Sequence, residues 1–439
     1  EKKKKKIEGK TERRTTIKSE GNRYFFTTGM STRQVTGVLI KDGATGTLLE
    51  SWDVDYAKAG SMWSSSVLLS EMDLVKRAHR AYIDAGCDVL LTCTYQMHEE
   101  GCAASKVTMC ELVDRAVQVA RHTMPPQKQK GTTEESTAKE RRTGGIDVFR
   151  SALSSIKENG RERVVLLAGS LGPYGALLPG GQEYLGEYSI HETVINAFHA
   201  RRLEAFLCQV GEKHTFKVDF FLLETFPRLD EALGILSFVN QHEILRTAPF
   251  CFSFIAAPVK NPLPENADDD ALDDWWNAAA SSIRLPDGNT FEEALSELRK
   301  NCGTALVGVG CNCSGPLEVS LVATALLQKR RQDTEGPLVL LLYPNSGETF
   351  TDGQWRKSPQ QKQTSTAEGL SIRDLQRILA RGDGDLIIYM KFLLQLLQQR
   401  SEATEWLFEI IVCGACCRST PEDIAALKQV AREEPYLHA

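Results

Sequence analysis

The sequence lacks any segment of the kind that anchors a protein in a membrane or exports it. No apolar run in its 439 residues approaches the roughly 18 residues that a membrane span needs. Residues 1–6 are mostly lysine and lack the apolar core of a secretory signal. We expect residues 1–33 to form a charged, disordered tail, and a nuclear-localisation signal in the lysines is the alternative. The expected compartment is the cytoplasm.

The sequence also lacks the basic excess of a nucleic-acid-binding protein, because its formal net charge is −6. It has twelve cysteines, which in a short secreted chain would predict a disulfide framework. In a long chain without an export signal, reduced thiols or metal ligands are expected instead. Most cysteines lie in apolar runs, as Cys87 and Cys251 do, and these are predicted to be small core residues.

The glycine pattern of a dinucleotide-binding sheet is absent, since the loop after the first predicted strand reads Asp42-Gly43-Ala44-Thr45-Gly46-Thr47. Eight short runs instead alternate with helical patterns, and they are apolar throughout, as strands buried on both faces are. The runs are 35–41, 88–93, 164–169, 218–224, 250–255, 305–311, 338–343 and 408–413. This alternation predicts an α/β protein, a single (β/α)8 TIM barrel over residues 34–439.

Three polar stretches interrupt this alternation, near 122–160, 257–287 and 352–400. Their composition predicts long surface insertions on the barrel. The last of them contains a leucine-rich helical region over 373–400. Its apolar face could pack on the core or bind a partner.

Thiols and carboxylates follow several predicted strands, and a barrel gathers such strand ends at one rim. Cys313 follows the sixth strand, and Cys416 and Cys417 follow the eighth. Three thiolates could hold zinc and leave a position open. From spacing alone, two alternatives to a metal site stay open: buried packing residues, or a disulfide between Cys416 and Cys417.

Asp42 and Glu224 are the acidic candidates at the rim, where a carboxylate could hold the ammonium group of a substrate. The alternative for Asp42 is a turn residue before Gly43, and for Glu224 a surface ion pair. No histidine except His98 follows a strand, so no serine-histidine-aspartate arrangement is indicated.

Taken together, the strand-end segments resemble those of the homocysteine S-methyltransferase family. They occur in the family's order across residues 35–430. The matching segments are Asp42-Gly43-Ala44, Leu91-Thr92-Cys93-Thr94-Tyr95-Gln96, Gly169-Ser170-Leu171-Gly172-Pro173-Tyr174-Gly175, Glu183-Tyr184-Leu185-Gly186-Glu187-Tyr188, Glu224-Thr225-Phe226-Pro227, Cys311-Asn312-Cys313, Tyr343-Pro344-Asn345-Ser346-Gly347-Glu348 and Gly414-Ala415-Cys416-Cys417-Arg418-Ser419-Thr420-Pro421.

The resemblance implies zinc held by Cys313, Cys416 and Cys417, with the homocysteine thiolate in the fourth position. It also implies that certain rim residues bind substrate. The resemblance assigns the amino-acid end of homocysteine to Glu224 and the Asp42–Gly43 turn, and Thr94 and Trp63 are further candidates for the pocket.

The resemblance further implies methionine biosynthesis, and the segment 172–188 is similar to the branch that uses S-methylmethionine or S-adenosylmethionine. Two alternatives stay open: a selenocysteine methyltransferase of the same family, or a catalytically inert zinc-binding barrel that recruits partners. The chain departs from the family in having Ala415 where a second glycine is usual, which would cost roughly 1–2 kcal/mol if that position were left-handed. The oligomeric state is left open.

Overall fold

The structure is a computed structural model, and it describes the chain in several segments. These are residues 37–56, 61–126, 145–157, 163–189, 191–210, 213–302, 305–331, 336–351, 354–356, 369–399 and 406–433. The predicted tail, 1–33, lies outside the described residues, as do parts of two of the predicted insertions, 122–160 and 352–400.

Eight parallel strands form the central sheet, and each overlaps one of the eight apolar runs. They are β1 (Gly37–Ile40), β2 (Val89–Leu91), β3 (Leu166–Leu171), β4 (Phe220–Phe226), β5 (Phe250–Phe254), β6 (Leu306–Asn312), β7 (Leu338–Tyr343) and β8 (Phe408–Cys413). The spatial order is β1-β8-β7-β6-β5-β4-β3-β2, with every neighbouring pair parallel. The predicted barrel is confirmed.

Two aspartates help to close the barrel between β1 and β2, where the backbone forms the single bridge Lys41–Val89. The Ile40 N–H donates to Asp88 Oδ2 at 2.8 Å, and the Leu91 N–H donates to Asp42 Oδ2 at 2.9 Å. These carboxylates take the place of strand carbonyls as acceptors. Because buried N–H groups must be paired, these side-chain bonds add to the backbone bonds from the Asp42 N–H to the Val89 carbonyl and from the Asp88 N–H to the Ile40 carbonyl.

Helices surround the barrel. They are α1 (Thr45–Glu50), α2 (Ser64–Ser70), α3 (Met72–Asp84), α4 (Glu99–Ala104), α5 (Met109–Thr123), α6 (Asp147–Lys157), α7 (Gln182–Leu185), α8 (Glu192–Glu204), α9 (Leu229–Gln241), α10 (Asp269–Ser282), α11 (Phe291–Cys302), α12 (Pro316–Leu327), α13 (Ile372–Ala380), α14 (Leu386–Gln398) and α15 (Pro421–Glu433). Short 3-10 turns lie at Tyr174–Leu177 and Leu245–Thr247, and antiparallel hairpins pair Leu207–Val210 with Lys213–Phe216 and Thr349–Thr351 with Gln354–Arg356. Local sequence sets several helix starts: Thr108 forms a capping box before α5, and Pro316 opens α12.

Part of the predicted insertion at 122–160 is a core element. Helix α6 lies against the amino-terminal ends of the strands and joins the apolar cluster inside the barrel. The Phe149 ring lies 4.8 Å from that of Phe220, the first residue of β4. Arg150 pairs with Glu409 near the start of β8 at 2.6 Å. The surface assignment is therefore wrong for residues 145–157.

The other two predicted insertions also contain packed helices. In α10, Trp276 is 2% exposed, and its Nε1 donates to Thr324 of α12 at 3.1 Å. Its ring lies 5.1 Å from that of Phe392 in α14. Tyr389 of α14 donates its hydroxyl hydrogen to the carbonyl of Leu342 in β7 at 3.0 Å. Helix α14 is thus the barrel helix between the seventh and eighth strands, and its leucine-rich face packs on the core.

The position of α6 gives a stability prediction. Phe149→Ala removes a fully buried ring, so it should lower the free energy of unfolding by about 3–5 kcal/mol, measured by urea denaturation. Ser151→Ala, on the exposed face of the same helix, should change it by less than about 0.5 kcal/mol. Equal, small effects of the two substitutions would place α6 outside the core.

Candidate metal and substrate site

The three rim cysteines meet although about a hundred residues separate Cys313 from the pair. The sulfur atoms of Cys313, Cys416 and Cys417 all lie within 4.8 Å of one another. Cys313 and Cys416 are joined as a disulfide with a Cα–Cα distance of 5.5 Å, and the sulfurs of Cys313 and Cys417 are 3.8 Å apart. The disulfide considered from sequence, between the adjacent Cys416 and Cys417, is not the one formed.

The loop after β7 holds the two cysteine loops together. Asn345 donates its side-chain N–H to the Cys313 carbonyl at 3.1 Å. The Cys416 N–H donates to the Pro344 carbonyl at 2.7 Å, and the Ser346 N–H donates to the Cys417 carbonyl at 3.1 Å. The sulfurs are therefore positioned by backbone bonds as well as by their strands.

Ala415 brings no backbone penalty to this loop. Its φ angle is not among the positive values found in the described residues, so a second glycine is not required there. The first glycine has a steric reason, because a Cβ on Gly414 would lie 2.9 Å from the Lys41 carbonyl oxygen. The departure from the family pattern leaves the loop intact.

Glu224 lies near the end of β4 as a buried carboxylate, and its exposure is too small for a surface ion pair. Ser170 donates its hydroxyl hydrogen to Glu224 Oε1, and Tyr343 donates to Oε2 at 3.2 Å. Burial raises the pKa of Glu224, and the nearby positive charge of Lys41 lowers it in part. An ionised carboxylate here has an incomplete set of cationic partners, which suits it to hold an ammonium group.

Asp42 is fully buried, and both of its oxygens have partners. Lys41 Nζ lies 2.9 Å from Oδ1, while Oδ2 accepts the Leu91 N–H. The same ammonium lies 4.8 Å from the centre of the Tyr343 ring. Asp42 is therefore not only a turn residue. Its carboxylate already pairs with the ammonium group of Lys41. The next residue, Gly43, fits tightly, because a Cβ there would lie 2.7 Å from Ser419 Oγ.

Thr94 and Trp63 lie in different surroundings. Thr94 is fully buried and donates its hydroxyl hydrogen to the Ser170 carbonyl at 2.8 Å, so it braces a partner of Glu224. Trp63 is 43% exposed and stacks on Tyr56 with a centroid distance of 4.6 Å. A pocket-lining role for Trp63 stays a prediction.

Several site residues were not singled out from sequence, above all Lys41 and Asn312. Asn312 donates to the Thr225 hydroxyl at 2.7 Å and accepts the Thr225 N–H at 2.9 Å, which links the Glu224 loop to the Cys313 loop. Ser170 and Tyr343 were present in strand-end segments but had no assigned role. Nothing in the sequence distinguishes a lysine at the end of β1 from a solvated one.

The rim arrangement permits two uses of the same sulfurs. As thiolates, the three cysteines fit a borderline-soft divalent metal with one tetrahedral position left open. As a disulfide, Cys313 and Cys416 cannot act as thiolate ligands, so reduction must precede metal binding. The fold and its rim site define an α/β-barrel enzyme.

The chain matches the family model described as homocysteine S-methyltransferase over residues 39–431, and it therefore belongs to the homocysteine S-methyltransferase family. It is similar to Homocysteine S-methyltransferase YbgG of Bacillus subtilis, at 27% identity over 71% of this chain and 79% of that protein. Homocysteine S-methyltransferase 2 of Zea mays is 26% identical over 91% of both chains. The Escherichia coli homocysteine S-methyltransferase is 27% identical over 89% of this chain and 94% of that one.

Solved structures share the fold. The homocysteine methyltransferase MmuM of Escherichia coli in its metallated form matches with a TM-score of 0.54 at 24% identity, covering 90% of this chain and 96% of MmuM. Its oxidised form matches with a TM-score of 0.55 at 24% identity, covering 89% and 95%. As a family member, this chain is a methyltransferase that acts on homocysteine. Among the described residues, no helix is long and apolar enough to cross a membrane.

Burial of Glu224 gives a prediction about stability and pH. Burial raises the folded pKa of Glu224 above that of the unfolded chain, so the ionised carboxylate costs stability as pH rises through the folded pKa. Glu224→Gln should therefore unfold at higher urea concentration than the parent chain at pH 7.5. The gain should shrink as pH falls toward 4.5. Glu187→Gln, at an exposed position, should show no such pH-dependent gain.

Proposed function

We propose that this chain is a zinc-dependent enzyme that transfers a methyl group from a sulfonium donor, S-methylmethionine or S-adenosylmethionine, to homocysteine and so forms methionine. The observation that carries the proposal is the convergence of three cysteine sulfurs within 4.8 Å at the catalytic rim of the barrel. The family of the chain supplies the acceptor.

Cys313, Cys416 and Cys417 would hold the metal. Zinc is favoured because thiolates suit it and because three protein ligands leave one position for substrate. Bound there, zinc would keep the homocysteine thiol ionised, whereas a free thiol with a pKa near ~8.5 is mostly protonated at neutral pH. Burial raises the pKa of Cys417 above its usual range, so this thiol needs a neighbouring cation to become a thiolate.

The buried carboxylates would bind the amino-acid end of homocysteine. Glu224 would accept hydrogen bonds from the substrate ammonium while Ser170 and Tyr343 hold its position. The Asp42–Gly43 turn would contribute a second acceptor, with Lys41 balancing part of the negative charge. In this proposal Thr94 acts by fixing Ser170, and Trp63 lines the entrance.

The transfer itself needs positioning and no general acid. The methyl carbon forms a bond to the homocysteine sulfur as its bond to the donor sulfur breaks, and that electron pair stays on the donor sulfur. The donor leaves as a neutral thioether, so no proton has to be supplied. Holding the two sulfurs and the methyl carbon in line is then the main task of the site.

The metal assignment predicts that Cys416→Ser and Cys417→Ser each lose bound zinc and methyl transfer together. Zinc content of the reduced protein would be measured by elemental analysis, and the cobalt-substituted protein would be examined for thiolate-to-metal absorption. Cys311→Ala is the matched control, since burial raises the pKa of that thiol to about 12 and it lies beside the site without joining it. A serine variant with full zinc content and full activity would contradict the assignment.

The donor assignment predicts homocysteine methylation by S-methylmethionine or S-adenosylmethionine, lost on treatment with a chelator and restored by zinc. Methionine formation would be followed with each donor in turn, with selenocysteine as a competing acceptor. A chain that binds zinc but methylates nothing would instead be the inert barrel considered from sequence.

A further inference from the structure

A single helical turn, α7, carries a carboxylate and an aromatic ring to the sulfur cluster. Gly181 and Gly186 flank the turn with φ angles of 70° and 68°, the left-handed values that glycine adopts without strain. A Cβ on Gly186 would lie 3.1 Å from Pro227 Cβ, just beyond β4. The two glycines therefore allow the turn to lie close over the end of β4.

Tyr184 brings its hydroxyl group to 3.8 Å from the sulfur of Cys417. Tyr184 is nevertheless 37% exposed. An exposed ring at this position offers a π surface to a molecule that approaches the sulfurs from solvent.

Glu183 lies beside Tyr184 in the same turn, and the pKa of the nearby Tyr95 is raised mainly by burial and then by the charge of Glu183. Its own pKa is raised by burial, with only its own backbone amide hydrogen-bonded to it. Among the described residues, no lysine or arginine pairs with this carboxylate. A cation arriving at the rim would therefore meet an unmatched negative charge.

A buried network holds both ends of the segment that contains α7. Glu231 accepts the Tyr174 N–H at 2.6 Å and the Tyr188 hydroxyl hydrogen, and His199 Nε2 lies 2.7 Å from the same carboxylate. The Arg228 guanidinium donates to the Tyr188 carbonyl at 2.5 Å. These bonds fix the loop on either side of the turn, so Glu183 and Tyr184 are held in place before any ligand binds.

We propose that Glu183 and the ring of Tyr184 recognise the positive charge of the methyl donor. This inference rests on the proposed function and deepens it by assigning the donor side of the site. The charge concerned is that of the sulfonium group, which is attracted both by a carboxylate and by the face of an aromatic ring. Because the donor sulfur becomes neutral when the methyl group leaves, the same pair would hold the donor more tightly than the product.

The donor sulfur loses its positive charge during the transfer. This loss determines which kinetic constant Glu183 and Tyr184 affect. The interaction with the sulfonium is strongest in the ground state and weakens as the methyl group leaves. It therefore contributes to donor binding rather than to acceleration of the chemical step. Removing it should raise the KM for the donor and should not lower kcat.

The test compares Glu183→Gln, Tyr184→Phe and Tyr184→Leu in the full-length, zinc-loaded enzyme. Glu183→Gln should raise the KM for S-methylmethionine by about 10- to 100-fold, the usual effect of losing a bond to a charged group. Tyr184→Leu should raise it as well, whereas Tyr184→Phe keeps the ring and should retain most of the affinity. The KM for homocysteine and the zinc content should be those of the parent enzyme in all three.

Glu187→Gln, an exposed carboxylate four residues away, is the matched control and should leave the donor KM unchanged. Calorimetry adds a readout independent of turnover: Glu183→Gln should weaken binding of S-methylmethionine and spare the neutral product methionine. If the parent enzyme uses only S-adenosylmethionine, the same comparison is made with that donor and its neutral thioether product.

An unchanged donor KM in Glu183→Gln, or an equal loss of affinity for donor and neutral product, would overturn the inference while leaving the proposed function intact. Loss of zinc in Glu183→Gln would also overturn it, because the residue would then act on the metal site. A parent enzyme that binds no zinc or accepts no sulfonium donor would instead refute the proposed function itself.

Discussion

The hydrogen-bond register of β6, β7 and β8 is the constraint on which the candidate site depends. Asn312 pairs with Tyr343 across β6 and β7, and Leu342 pairs with Cys413 across β7 and β8, so the three strands end at the same level. In a parallel barrel this places the following loops side by side at one rim. Cys313 and the Cys416–Cys417 pair consequently meet above the end of β7, and the β7 loop bonds to both. A shift of one residue in either pairing would turn alternate side chains to the other face of the sheet and separate the sulfurs.

A second feature of the rim is that charges are buried in a small space. Lys41, Asp42 and Glu224 lie in the barrel mouth, where removing a charge from water is expensive unless a partner compensates it. Lys41 and Asp42 compensate each other, but Glu224 relies on hydroxyl donors and on Lys41 at longer range. The negative charge of the Glu224 carboxylate is therefore only partly balanced by positive charge. Such a group stabilises an incoming ammonium more than it stabilises the empty protein, which is the property that a binding site for an amino acid requires.

The sequence predicted the barrel and the meeting of the three cysteines. It predicted the structure of the polar stretches between the strands poorly. Strands buried on both faces are apolar throughout, so their positions could be predicted; β7 and β8 begin and end where expected. The polar composition of residues 122–160 outweighs the short amphipathic segment that forms α6, so the sequence did not predict this helix. The partners of Glu224 could not be predicted, since Ser170 and Tyr343 come from strands that are distant in sequence. Spacing alone could not choose between a metal site and a disulfide either, because both need the same proximity of thiols.

The backbone around the site carries strain that the surrounding hydrogen bonds offset. Thr225, Cys313 and Arg418 adopt positive φ angles of 65°, 51° and 65° although none is glycine, and each such residue costs about 1–3 kcal/mol. Asn312 binds the backbone and hydroxyl of Thr225, Asn345 binds the carbonyl of Cys313, and Arg418 pairs with Glu348 at 2.9 Å. All three strained residues lie beside a proposed ligand of the metal or of the amino acid, or are one themselves. Left-handed backbone there redirects the chain sharply at or just beyond the end of a strand, which is how side chains from three separate segments come to face a common point. A glycine would relieve the backbone strain at each of these positions. At position 313, however, a glycine would lack the sulfur that this backbone conformation places at the site.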